Sequence, residues 1–203
     1  MSGEMAPQQP ALTKPRVAVI TPYYKESLDY LIDCRDSVSS QEGADIIHFF
    51  VADGFPQQDV STWDVQHIIL PRPNADYGNT PRGIGSLLAI AQNVDFIAYL
   101  DADNWYHPGH IKSLIDLHRQ TGADVTCSFR SLHTPDGQEL TGLQDRDESL
   151  LQHVDTSCYL LHKAAFQSVD VWIKMPQQVS SIGDRIFLKA LQKQRLKFAF
   201  SKK

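Results

Sequence analysis

Phe96-Ile-Ala-Tyr-Leu-Asp101-Ala-Asp103-Asn-Trp105 is a short apolar run of strand-like composition that stops at two carboxylates one residue apart. A pair so placed can hold a divalent cation at the edge of a sheet. The same spacing recurs in Asp145-Arg-Asp147, but no apolar segment leads into it, and we read that pair as a surface turn. Asp101 and Asp103 instead end a strand of buried character, where ligands gather in open α/β sheets.

Outward from that run, strands alternate with helices. Arg16-Val-Ala-Val-Ile-Thr21 reads as a buried strand closed by Pro22, and Ser27 offers an oxygen to cap a helix reaching about Ser40. Asp45–Ala52 is a second strand ending at Asp53-Gly54, and residues 66–70 are a third ending at Pro71. Thr80-Pro81 starts a helix with proline at its first position, followed by Ile84, Leu87, Leu88 and Ala91. Pro108 opens another, with Ile111, Leu114, Ile115 and His118 on one face. Further on, strands are expected over 123–130, 156–161 and 196–200, and a helix over 182–194. Pro135-Asp136-Gly137 predicts a hairpin turn, and residues 142–153 read as a surface loop of the kind that acts as a lid. This order predicts an α/β fold: a single-domain, mainly parallel central sheet with helices on both faces. Right-handed crossovers then bring the strand ends at Thr21, Asp53 and Asp101 to one edge.

At 203 residues and 42% hydrophobic content, the chain can bury one substantial core, which we assign to residues 15–203. Residues 1–14 are polar and rich in Gln and Pro, and are expected to be a disordered tail. A formal charge of -5, with scattered Lys and Arg, leaves no basic surface for a nucleic-acid partner. Cys34, Cys127 and Cys158 are odd in number and far apart, so they read as reduced packing thiols of a cytoplasmic protein. No stretch approaches the ~20 apolar residues of a transmembrane segment. Self-association is left open.

In order and spacing over residues 17–191, the chain resembles the family 2 glycosyltransferases, inverting enzymes with the metal-dependent nucleotide-diphospho-sugar transferase (GT-A type) fold. The resemblance rests on Thr21-Pro-Tyr-Tyr-Lys-Glu26, Asp53-Gly54, the segment 74–82, Asp101-Ala-Asp103 and Gly183-Asp184. It implies a nucleotide-diphospho-sugar donor, UDP-sugar favoured, transferred with inversion to an acceptor hydroxyl. Thr21, Pro22 and Tyr23 would form the base of the nucleotide site, where an aromatic face also offers stacking, and Glu26 would orient the loop or the nucleoside. Asp53 would accept a hydrogen bond from uracil N3–H, and Arg82 would face the base or the diphosphate. Asp103 would hold Mn2+ or Mg2+, with Asp101 touching the ribose or reaching the metal through water. Asp184 would be the catalytic base, although the family often carries two adjacent acids where Ile182-Gly-Asp184-Arg185 has one. Asp155 takes an acceptor-side position, and Trp105 would wall the sugar or acceptor site.

Each residue also has a plainer reading. Tyr23 can pack on the sheet edge, Glu26 and Arg82 can sit in helix first turns, Asp53 and Asp155 can be turn residues, Asp184 can cap a helix, and Trp105 can anchor the next one. A haloacid-dehalogenase-like phosphatase also places Asp-x-Asp after an apolar strand, but its pattern wants Thr or Val where Trp105 stands and Asp where Leu188 stands. A nucleotidylyltransferase lacks its phosphate loop here. A catalytically inactive nucleotide-sugar-binding domain is the non-enzymatic alternative.

Overall fold

The computed structural model describes residues 14–134, 137–141 and 152–201. Among these residues seven strands form one sheet: β1 (Arg16–Tyr23), β2 (Asp45–Ala52), β3 (Gln66–Ile69), β4 (Phe96–Tyr99), β5 (Val125–Cys127), β6 (Tyr159–His162) and β7 (Phe198–Phe200). Their order is β3-β2-β1-β4-β6-β5-β7. Pairing is parallel except at β6, which runs against both β4 and β5. β1 lies at the heart of the parallel part and is buried along seven of its eight residues. Burial on both faces is why the strands read as unbroken apolar runs.

Alternate residues of the strands feed two cores. Ala18, Ile20, Phe49 and Tyr99 pack under α2 (Asn79–Ala91), α4 (Val171–Lys174) and α5 (Gly183–Lys193), with Trp172, Phe187 and Leu191 as the main helical contributions. Val17, Val19, Phe50 and Ala98 pack under α1 (Leu28–Ser39) and α3 (His110–Thr121), which supply Leu31, Cys34, Val38, Ile111 and Leu114. Helices therefore cover both faces, as expected. Gly85 lets α2 lie close on the sheet, since a Cβ there would stand 2.6 Å from Ile20 Cγ2.

Local differences from the sequence reading have identifiable causes. Ser27 caps α1 by accepting from Tyr30 N, as expected. α2 starts before Thr80-Pro81: Asp76 reaches past the Gly78 cap to accept from Thr80 N at 2.8 Å and Thr80 Oγ1 at 2.5 Å, fixing the first turn. The stretch 156–161 is half strand only. Its first residues, Thr156–Cys158, form a 3-10 turn because Asp155 accepts from Ser157 N at 3.0 Å. Nothing in the sequence periodicity marks an element over 163–181, where 3-10 turns at Lys163–Ser168 and Gln177–Ile182 flank α4. The expected hairpin is present at its described ends, where His133 bridges Glu139 antiparallel. Its turn residues Pro135 and Asp136, the tail over 1–13, and residues 142–151 with Asp145 and Asp147 lie outside the described residues. All three cysteines are buried free thiols. Among the described residues no helix is long and apolar enough to cross a membrane.

Candidate active site

The ends of β1, β2 and β4 meet at one edge: Asp53 N donates to Tyr23 O at 2.7 Å and Leu100 N to Ile20 O at 3.1 Å. A cavity of about 560 Å3 opens there, lined by Pro22, Tyr23, Glu26, Asp53, Arg82, Asp101 and Asp103 among others. Seven of the residues singled out from sequence thus share one crevice. Thr21 is not among them. Its Oγ1 lies buried beneath, 2.9 Å from His48 Nε2 and 3.6 Å from Cys34 Sγ, where it anchors β1 to its neighbours.

Several of these side chains combine the functional and the plain reading. Tyr23 is packed: its hydroxyl lies 2.6 Å from His67 Nε2 and accepts from Gln57 N at 3.0 Å, and its ring stacks on His67. Glu26 orients the loop, accepting from Tyr24 N at 2.6 Å. Asp53 is buried and accepts from Asn74 N at 3.0 Å and Asn74 Nδ2 at 2.7 Å. Gly54 has φ +83°, and a Cβ there would meet Pro73 N at 2.4 Å, so the Asp53 turn and the segment that follows β3 are fitted to each other.

Arg82 is buried and forms an ion pair with Asp101, donates to Tyr77 O at 2.8 Å, and lies 5.4 Å from the centre of the Trp172 ring. Its Nε is buried without a hydrogen-bond partner among the described residues. The loop it holds is strained, with Ala75 at φ +54°, Tyr77 at +58° and Gly78 at +79°. Such conformations cost non-glycine residues on the order of 1 kcal/mol each and persist where surrounding contacts over-determine them.

Asp103 has no cationic partner among the described residues. Although the residue is exposed, partial desolvation pushes its carboxyl above the ordinary value, and the charges of Asp101, Glu26 and Asp155 push it further. Among the described residues no three acidic, His or Cys side chains form a metal cage. One carboxylate completed by substrate phosphate oxygens is nevertheless an ordinary way to bind Mg2+ or Mn2+.

Asp103 also lines a second, larger cavity of about 790 Å3, together with Trp105, Arg130 and Asp155. Asp155 accepts from Arg130 Nη1 at 3.2 Å. Ser157 joins the two cavities, its Oγ accepting from Asp101 N and Asn104 Nδ2, each at 3.2 Å. Asp184 lines neither cavity. It lies in the first turn of α5, bonds His153 Nε2 through Oδ2, and accepts from Arg185 N at 2.7 Å through Oδ1. The capping alternative for Asp184 does not hold, because Ile182 occupies the cap position and no side chain bonds there.

The sequence profile of Glycosyl transferase family 2 matches residues 18–175. The chain belongs to this family. The match stops short of Gly183-Asp184, so it does not bear on the base. Similar solved structures include S. aureus TarS, with a TM-score of 0.72 and 14% identity over 92% of this chain and 35% of that one. TarS 1-349 in complex with UDP gives 0.66 and 17%, covering 92% and 60%. The complex with UDP-GlcNAc gives 0.69 and 13%, covering 93% and 59%. At such identities the likeness is one of fold. The chain spans only 35 to 60% of the length of these structures. No curated protein matches it by sequence.

For a family 2 glycosyltransferase domain, the sequence reading missed three parts of the site. Asn74, which holds Asp53, lies in the matched segment 74–82 but carries no signal of its own. Tyr24 and Phe55 meet edge to face at 4.7 Å with Lys25 Nζ 4.4 Å over Phe55, a contact between two loops that no local pattern predicts. His153 is distant in sequence from Asp184, and nothing in its neighbours marks it.

Proposed function

We propose that the chain is the donor-binding and catalytic part of a divalent-cation-assisted, inverting glycosyltransferase that uses a UDP-sugar. The observation that carries this reading is the division of labour in the Asp-x-Asp pair. Arg82 neutralises Asp101, leaving Asp103 as an uncompensated carboxylate where the two cavities meet. The UDP and UDP-GlcNAc bound to the structurally similar TarS support the same donor class.

A bound Mn2+ or Mg2+ would be held by Asp103 and would supply charge to the departing diphosphate. The chain's own residues do the rest. Tyr23, Glu26 and Asp53 shape the nucleoside end of the crevice, and Asp53 keeps acceptor capacity beyond its Asn74 bonds. The Arg82–Asp101 pair fixes the floor. The acceptor oxygen bonds to C1 of the donor sugar as the C1–O bond to the diphosphate breaks, and the hydroxyl proton passes to a base on the far side from the leaving group. Asp184, oriented by His153, is the residue we assign to that proton, although it lies outside the lining of both cavities; Asp155, which lines the larger one, is the alternative.

Calorimetric titration of UDP with Mn2+ tests the donor site. Binding should weaken at least about tenfold on adding chelator and in Asp103→Ala, with circular dichroism unchanged. Failure of UDP to bind the wild-type chain at millimolar concentration with Mn2+ present would sink the reading.

A further inference from the structure

The larger cavity carries an inference that rests on the donor reading, because it shares Asp103 with the donor crevice. We propose that this cavity is an acceptor site for an uncharged carbohydrate, which packs a sugar face on Trp105 and bonds hydroxyls to Asp33 and neighbouring polar groups, and that it disfavours phosphate-bearing acceptors.

The apolar half of the argument is an aromatic wall. The exposed Trp105 indole lies 5.1 Å from the His133 ring, which lies 5.7 Å from His107. Flat ring faces give a pyranose C–H face dispersion contact without requiring charge from the ligand.

The polar half is set by which charges are already taken. Arg130 is paired with Asp155, and Asp36 with Arg35 at 2.6 Å. Asp33 and Asp103 have no cationic partner among the described residues. Burial, and then the neighbouring His107, push His110 down to about 4, so at neutral pH it adds no positive charge. Among the described residues Asp33 therefore leaves the lining net negative even with a cation on Asp103. A carboxylate accepts strong hydrogen bonds from sugar hydroxyls, whereas a phosphate entering here meets like charge from the Asp33 side of the wall. The volume of about 790 Å3 has room for more than one sugar ring, and falls in the range of roughly 300–1,000 Å3 common to ligand clefts.

Saturation-transfer NMR on the full chain with UDP and Mn2+ present tests this, using cellobiose, lactose and chitobiose against glucose 6-phosphate. Transfer is expected to the neutral disaccharides and not to the phosphorylated sugar. Affinity should fall about tenfold in Trp105→Ala, be largely kept in Trp105→Phe, and shift towards glucose 6-phosphate in Asp33→Lys. If Trp105→Ala does not fold, Trp105→Phe and Asp33→Lys decide. No transfer to any neutral disaccharide at millimolar concentration, stronger binding of glucose 6-phosphate to the wild type, or indifference to Trp105 and Asp33 would overturn the proposal. UDP binding to the wild-type chain, titrated in parallel, reports on the donor reading separately.

Discussion

Asp184 is where chemistry and packing separate most cleanly at the residue scale. One oxygen is held by His153 and the other by a backbone N–H, and it caps nothing. If it takes the acceptor proton, Asp184→Asn should leave UDP affinity nearly intact while lowering kcat by roughly 10²-fold, the usual scale for a general base. Turnover of a UDP-sugar near the wild-type rate would move the role elsewhere, with Asp155 next in line. The carboxylates were legible in sequence because each follows a strand or precedes a helix. Their partners were not: Arg82 with Asp101 and His153 with Asp184 are joined only by the fold. Thr21 shares a sheet face with Tyr23 but lies one step further back along β1, so its hydroxyl meets Cys34 and His48 beneath the crevice, a depth that local sequence does not encode.

Among the elements, the connection between β2 and the segment after β3 sets the height of the Asp53 carboxylate. Gly54 is strained for any other residue, and its Cβ position is filled by the Pro73 backbone. Gly54→Ala should therefore cost about 1–3 kcal/mol and weaken UDP binding, as read by urea unfolding and calorimetry on the same sample. Unchanged affinity with lowered stability would remove Asp53 from the donor site. The strands were readable because two-sided burial writes itself as apolar runs. Residues 163–182 were not, because 3-10 turns leave no 3.6-residue period, and Trp172 owes its place to tertiary contact with Tyr99 and Phe187.

For the whole molecule, stability should depend on pH through two buried histidines. Burial pushes His48 down to about 3 and His110 down to about 4, from an ordinary value near 6.5. Both states are neutral above that value, so the full stability is present there. Below it the unfolded chain takes up protons that the folded chain refuses. Each histidine then removes about 1.4 kcal/mol per pH unit until its folded value is reached. Thermal midpoints should fall steadily from pH 6.5 towards 4. His48→Gln, which keeps a partner for Thr21 Oγ1, should flatten that slope; an unaltered slope would reject His48 as a source.

The reversal of β6 has a mechanical meaning. In an all-parallel sheet, the residues that precede a strand lie at the edge opposite those that follow its neighbour. Because β6 runs against β4, with Leu160 beside Ala98, the segment entering β6 arrives where the segment leaving β4 departs, and Ser157 bonds Asp101 directly. The two walls of the reaction centre are thus riveted to one strand pair, and their spacing is preset rather than assembled by closure. Hydrogen exchange should show this as co-protection. The amides of Ile97, Ala98, Leu160 and Leu161 should open together, among the slowest in the chain, with rates unmoved by UDP. Independent opening of the two strands, or their tightening on nucleotide binding, would mean that the spacing is adjustable after all.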